Sequence, residues 1–298
     1  MSWPLSCVRQ TESLANHTSF RIGGPAELFA QPQTTDELVA LLRMASRMSI
    51  PVSVIGGGTN CLVADRGIGG LVVRLGSGFR LVEPLTNGHE EYARVRCGAS
   101  VITQRLVSLA CRYGWGNLEM LAGLPGQVGG AVVMNAQNIG QFVECITLVS
   151  RQGDIEQLTR EQLQFSYRYT AVKPGIITEV TFCFPRVPSE VSTNRIREVL
   201  CYRNATQELR LPSAGCAFKN PHGASAGRLI DQAGLKGSRI GDAQVSLRHA
   251  NFIVNVGQAT CDDVLSLMEH IQRGVAQRFG VRLEPEIRLL GERWKGSA

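Results

Sequence analysis

The sequence predicts an α+β chain of two domains, and three observations predict it. Apolar residues at helical spacing alternate with short β-rich runs at both ends of the chain. The middle section, from 117 to 185, reads as strands and turns. Pro185, Pro188 and the polar run Pro188-Ser189-Glu190-Val191-Ser192 then mark a boundary near 188. A length of 298 residues suits two domains, or three, and 44% apolar against 19% charged residues is an ordinary globular balance.

The elements follow in order. Thr34-Thr35-Asp36-Glu37 gives a cap and an acidic first turn to a helix whose apolar face is Leu38, Leu41, Leu42, Ala45 and Met48. A strand at 50–55 runs into Gly56-Gly57-Gly58-Thr59-Asn60, and Leu71-Val72-Val73 is a second apolar run. Ser100 is the expected cap of a helix faced by Ile102, Leu106, Leu109, Ala110 and Tyr113, with Gly114 as its end. Runs at 146–149 and 155–158 flank Arg151-Gln152-Gly153-Asp154 as a hairpin, and 175–184 is a further strand. Beyond the boundary come a helix near 193–209 and a loop at 211–221. A helical stripe of Ala226, Leu229, Ile230 and Ala233 follows, closed by Gly234. A strand at 252–256, a helix started by Thr260 with Asp263 at its third position, and a last strand at 281–290 complete the chain.

Composition removes several classes of function. No run reaches the ~18 apolar residues of a membrane helix, and MSWPLSCVRQ lacks the pattern of a secretory signal. The net charge of +6 is scattered, which gives nucleic-acid binding little support; it would suit an anionic small molecule, but a general preference for arginine better accounts for the total. Only Lys173, Lys219, Lys236 and Lys295 are lysines; the other basic residues are arginine. The nine cysteines are odd in number and form no CxxC, and the five histidines, His89 among them, form no HxxxH. Reduced thiols, a cytoplasmic location and no metal are expected.

Five segments carry candidate chemistry. Gly56-Gly57-Gly58 follows a strand, as phosphate loops do, but is neither GxGxxG nor a Walker A loop. Gly123-Leu124-Pro125-Gly126-Gln127-Val128-Gly129-Gly130-Ala131 is long and small enough to line a flat cofactor or a pyrophosphate, or to pack a turn on a helix. Pro212 to Pro221 concentrates Cys216, Lys219 and Asn220 between Gly and Pro; the lysine suits a phosphate. Glu284-Pro285-Glu286 lies in a run whose one face is Arg282, Glu284, Glu286 and Arg288, either solvated or with one carboxylate turned inward. Phe165-Ser166-Tyr167-Arg168-Tyr169 reads as an arginine among aromatic rings, stacked or free to act as a clamp.

In this order, from His17-Thr18-Ser19-Phe20-Arg21-Ile22-Gly23-Gly24 through those segments to Glu286, the chain resembles the UDP-N-acetylenolpyruvoylglucosamine reductases, the MurB flavoenzymes of bacterial peptidoglycan synthesis. The resemblance covers 16–291. It implies a two-part FAD-binding α/β domain of the vanillyl-alcohol-oxidase type, at 1–78 and 79–187, and a smaller α+β substrate domain at 188–298. The short connection from Tyr169 to Pro212 is similar to the compact class that lacks an inserted tyrosine loop. Noncovalent FAD, NADPH as hydride donor, a UDP-sugar substrate and a monomer are implied with it.

Carried over by position, Arg168 matches the arginine that polarises the substrate carboxylate, and Glu286 its acidic partner. Cys216 stands where the family usually has a proton-donating serine. Tyr167, Lys219 and Asn220 match substrate contacts. Arg21, Ile55, Gly56, Gly57, Gly58, Thr59, Asn60, Gly123, Pro125, Gly126, Gly129, Gly130 and Ala131 match the FAD-binding segments. Asn135-Ala136-Gln137-Asn138-Ile139-Gly140 departs from the family's small-residue and Tyr-Gly pattern. A sugar or alcohol oxidase on the same scaffold, or a nonenzymatic binder of flavin or UDP-sugar, is the alternative.

Overall fold

The structure is a computed structural model, and it describes residues 7–85 and 90–291. Most of the N-terminal signal reading, His89 and Lys295 lie outside the described residues. The chain is α+β and divides into two compact units. The first comprises Met1–Arg9, Ala30–Gly57 and Leu71–Arg203, and the second Gln10–Phe29, Gly58–Gly70 and Asn204–Ala298.

In the first unit, the helix Thr35–Arg47 starts as its sequence asks. Thr34 Oγ1 accepts the Glu37 N–H at 3.2 Å, and Asp36 and Glu37 meet the positive end of the dipole. Leu38, Leu41, Leu42 and Ala45 are fully buried. The strand expected at 50–55 is shorter, Val52–Val54, and pairs in parallel with 71–73. An antiparallel sheet of five strands has the order Val82–Pro84, Tyr92–Gly98, Gly175–Pro185, Val143–Ser150 and Ile155–Thr159. Its central strand buries Phe182 and Phe184, stacked 5.1 Å apart. The hairpin at 150–154 closes through Ser150 N–H to Asp154 O at 2.8 Å, with Gly153 at φ +84°.

Two expectations are corrected here. Ser100 does not cap the helix Thr103–Tyr113; its buried hydroxyl donates to Gly76 O at 2.7 Å, and Ile102 precedes the helix without a side-chain cap. Gly114 does end that helix, at φ +69°. The section from 117 to 185 also holds a short helix, Val128–Val133, and helical turns at Glu119–Leu121, Ala136–Phe142 and Arg160–Leu163. A short apolar run such as Val128-Gly129-Gly130-Ala131-Val132-Val133 has no period by which helix and strand differ. The next helix, Ser189–Thr206, begins four residues before the expected position. It is held to the turn Glu119–Leu121 by Ser192 Oγ donating to Glu119 Oε1 at 2.8 Å, both buried.

In the second unit, Ser213–Cys216, Phe252–Asn255, Ala243–Val245 and Arg239–Ile240 form an antiparallel sheet in that order. The helix Cys261–Phe279 covers it with Val264, Leu267, Ile271 and Val275, which join Phe218, Ile230, Val245 and Ile253 in one core. Thr260 and Asp263 form the expected capping box, and Asp65 accepts the Cys261 and Asp262 N–H groups at 2.8 and 3.2 Å. Two further expectations are corrected. The loop at 211–221 contains a strand, which Ser213-Ala214-Gly215-Cys216 does not advertise. Of the strand expected at 281–290 only Arg288–Leu290 forms, paired in parallel with Cys61–Val63. Before it Pro285, which has no N–H, makes a single bridge with Phe218.

Among the described residues no helix is long and apolar enough to cross a membrane, and no group of three or more His, Cys, Asp or Glu is placed to hold a metal. All nine cysteines are free thiols.

Candidate functional site

Each unit carries its own group of the sequence-predicted residues; the division falls between Gly57 and Gly58. In the first unit the two glycine segments meet. Ile55 is buried, with its N–H on Val73 O at 3.0 Å. A Cβ on Gly57 would stand 3.0 Å from Gly126 Cα, a tight approach to which the neighbouring backbone would have to yield. Gly130 is the opposite case: nothing lies within 4 Å of the position its Cβ would take, and the residue is exposed.

The second glycine segment is fixed from the start of the helix Thr103–Tyr113. Thr103 Oγ1 donates to Leu124 O at 2.7 Å, and the Thr103 N–H to Gly126 O at 3.0 Å. Gln104 Nε2 donates to Leu121 O and Leu124 O, both at 2.8 Å, while its Oε1 accepts the Gly123 N–H at 2.9 Å. Val128 and Gly129 N–H bond to Val101 O and Ala99 O, both at 2.9 Å. At about 1 kcal/mol net per bond, these hold the loop in one shape before any ligand arrives. Buried Arg203 adds Nη2 to Met120 O at 3.2 Å, and its Cδ lies 3.1 Å from where a Gly123 Cβ would stand. Thr103, Gln104 and Arg203 carry no motif, and sequence reading missed them.

Tyr167 and Arg168 form the tip of a tight turn. Ser166 N–H bonds to Tyr169 O at 2.9 Å, and Tyr169 N–H to Ser166 O at 3.2 Å. The Arg168 guanidinium lies 5.6 Å from the centroid of the Tyr167 ring, the stacked arrangement the sequence allowed.

In the second unit, Gly58 is held at φ +64°. A Cβ there would stand 1.9 Å from His17 O, so the sequence must keep glycine. Ser19 Oγ lies 2.6 Å from Ser213 O and 3.2 Å from Gly58 O, and its one proton serves the nearer. Arg21 is exposed, at φ +58°, with its N–H on Thr18 O at 3.2 Å. Cys61, beside Asn60, is buried, and burial pushes its thiol up to about 11, which makes it a core residue and no reagent.

The structure brings Cys216 and Glu286 onto neighbouring backbones. Glu286 N–H bonds to Ala217 O at 2.8 Å, and Lys219 N–H to Glu284 O at 2.8 Å. Asn60 Nδ2 reaches Glu286 O at 3.3 Å, which ties the Gly58-Thr59-Asn60 segment to the same place. Asn251, buried, acts as a strand partner to Phe218: its Oδ1 accepts the Phe218 N–H at 3.0 Å and its Nδ2 donates to Phe218 O at 2.8 Å. Sequence reading missed it. Lys219 Nζ pairs with Glu284 at 3.2 Å in a partly exposed bridge worth ~0–1 kcal/mol, which an anionic ligand can displace. Asn220 Oδ1 accepts the Ala226 N–H at 3.0 Å.

The glycine segments fit a nucleotide cofactor, because they are preorganised and present backbone that no Cβ obstructs at Gly130. Within the first unit, Ile55, Gly56, Gly57 and the segment from Gly123 to Ala131 are the residues available to hold it.

Known proteins resemble this chain over nearly its whole length. A family described as FAD binding domain matches residues 26–158, and one described as UDP-N-acetylenolpyruvoylglucosamine reductase, C-terminal domain, matches 207–290. The chain is similar to UDP-N-acetylenolpyruvoylglucosamine reductase 2 of Symbiobacterium thermophilum, 42% identical over 95% of this chain and 92% of the relative. It is also 42% identical to the reductase of Geobacter metallireducens, over 96% of this chain and 94% of the relative. The crystal structure of the reductase from Thermus caldophilus superimposes with a TM-score of 0.79 at 38% identity, covering 95% of this chain and 98% of that one.

Proposed function

We propose that this chain, which belongs to the UDP-N-acetylenolpyruvoylglucosamine reductase family, uses NADPH to reduce the enolpyruvyl double bond of UDP-N-acetylglucosamine enolpyruvate, giving UDP-N-acetylmuramate for peptidoglycan synthesis in the cytoplasm. It is an oxidoreductase with an FAD-binding domain. In this reading 1–78 and 79–187 serve the cofactor, 188–298 serve the UDP-sugar, and the chain works as a monomer. Tyr167, Lys219 and Asn220 contact the substrate.

Bound FAD supplies the hydride taken from NADPH. The hydride goes to the carbon β to the carboxylate, so enolate charge develops on the carboxylate. Arg168 binds that carboxylate and stabilises the charge where it grows. Glu286 assists, as an uncharged acid or by orienting a donor. Cys216 delivers the remaining proton to the carbon next to the carboxylate. A thiol, with an ordinary pKa of ~8.5, is a far stronger acid than a serine hydroxyl, so the replacement is chemically sound.

The observation that supports the reading is the backbone pairing of 217–219 with 284–286, which puts Cys216 and Glu286 on neighbouring backbone segments. The test is anaerobic flavin absorbance. NADPH should bleach the purified holoprotein, and the enolpyruvyl sugar should restore the colour. Bleaching that the sugar does not reverse rejects the substrate; bleaching by an ordinary sugar or alcohol in place of NADPH favours an oxidase.

A further inference from the structure

Arg168 is held in a backbone conformation that its turn does not maintain alone. In Ser166-Tyr167-Arg168-Tyr169 it occupies the third position at φ +54°, while Tyr167 keeps a negative φ. A single positive φ at that position belongs to a type II turn, where glycine or asparagine is usual. Two-residue hairpin loops favour the primed turns instead. A left-handed arginine costs roughly 1–2 kcal/mol, and such strain persists only where the surroundings impose it.

The surroundings are side-chain bonds that tie the turn to one short segment. Asn135 Nδ2 donates to Ser166 O at 2.8 Å, and Asn135 Oδ1 accepts the Gly140 N–H at 3.0 Å. Thr170 Oγ1 donates to Val132 O at 2.6 Å. Asn135 is 6% and Thr170 5% exposed. Val132 lies in the helix Val128–Val133 and Asn135 just beyond it, so the element that carries Gly129 and Gly130 also grips both ends of the arginine turn. Asn135 is itself left-handed, at φ +42°, as asparagine tolerates better than most residues.

We propose that Asn135 is the positioning residue for Arg168: by gripping Ser166 O it fixes the turn that aims the guanidinium at the substrate carboxylate. This rests on the role given to Arg168 above. Given that role, the bond should read out in the half of the reaction that consumes the enolpyruvyl sugar, whose carboxylate Arg168 binds, and not in NADPH oxidation.

The test uses two variants of the holoenzyme. Asn135→Asp keeps an acceptor for Gly140 N–H but places an oxygen against Ser166 O; Asn135→Gly keeps the left-handed backbone and loses both bonds. In rapid-mixing absorbance, NADPH should bleach both variants at the parental rate. Recolouring by the enolpyruvyl sugar should slow about tenfold or more in each, as a small misplacement of a catalytic group does. As a readout apart from turnover, FAD binding to the apoproteins, followed by quenching of flavin fluorescence, should stay within about twofold of the parent, well under the tenfold that 1.4 kcal/mol represents. Parental recolouring, equal slowing of both halves, or loss of FAD binding overturns the proposal, since each makes Asn135 idle or purely structural. If the parent itself bleaches but does not recolour, the substrate reading fails, and that result is distinct from all three.

Discussion

Replacing Gly130 by alanine separates the protein's own needs from those of its cofactor. Gly130 lies inside the helix Val128–Val133, and no atom stands within 4 Å of the new Cβ. The protein alone therefore meets no clash, and alanine is better than glycine in a helix interior by ~0.5–1 kcal/mol. For a chain of this size that is a rise of roughly 1–3 °C in the apoprotein Tm. If FAD packs on this face, the same methyl intrudes on it. Overpacking costs ~1–3 kcal/mol, which at 1.4 kcal/mol per tenfold is an FAD affinity weaker by about 5- to 150-fold. The assay is a thermal melt of the apoprotein beside an FAD titration read by fluorescence. A variant that melts at or above the parent and binds FAD as tightly would remove Gly130 from the cofactor site. A lower apoprotein Tm would refute the reasoning about free space.

Three other outcomes follow from the same residues. Cys216→Ala should be bleached by NADPH as the parent is, yet recolour at least ~100-fold more slowly with the sugar, within the range a general acid contributes; Cys216→Ser should fall between them, and an alanine variant as fast as the parent would show the proton comes from elsewhere. Burial holds the His249 imidazole below its ordinary 6.5. The unfolded chain therefore takes up that proton first as the pH falls, so stability is full above about 6.5 and declines below it; urea midpoints at pH 7 and 5 should converge in His249→Gln, and an unchanged gap would exclude the residue. Burial also pushes Cys97 and Cys261 up to about 12, so iodoacetamide at pH 8 should modify exposed Cys201 and leave Cys61, Cys97 and Cys261 untouched until the chain unfolds; peptide mass spectrometry showing native Cys97 labelled as fast as Cys201 would contradict this.

What the sequence made legible was local. Thr34, Gly114 and the Thr260–Asp263 box act on backbone within a turn of themselves, and each stands where its spacing put it. Ser100 shows that a hydroxyl near a helix start is only a candidate cap; its proton goes to Gly76 O, far off in sequence. The strand Ser213–Cys216 is made of small residues with no period, and its identity comes from Phe252–Asn255 beside it. In the site, the resemblance marked glycines, Arg168, Cys216 and Glu286 because they sit in distinctive short strings. Thr103, Gln104, Asn135 and Asn251 sit in ordinary ones. Their work is done on backbone carbonyls and amides brought from other segments, which no local pattern records.

The most direct test of the account is stoichiometric. Purified protein loaded with FAD is given NADPH and UDP-N-acetylglucosamine enolpyruvate, and both consumption and product mass are followed. The account predicts that, in the absence of oxygen and beyond the one equivalent that reduces the flavin, NADPH is oxidised only when the enolpyruvyl sugar is present, one for one, and that the product is the sugar with two hydrogens added across its double bond. NADPH consumed while the enolpyruvyl group stays intact would contradict it.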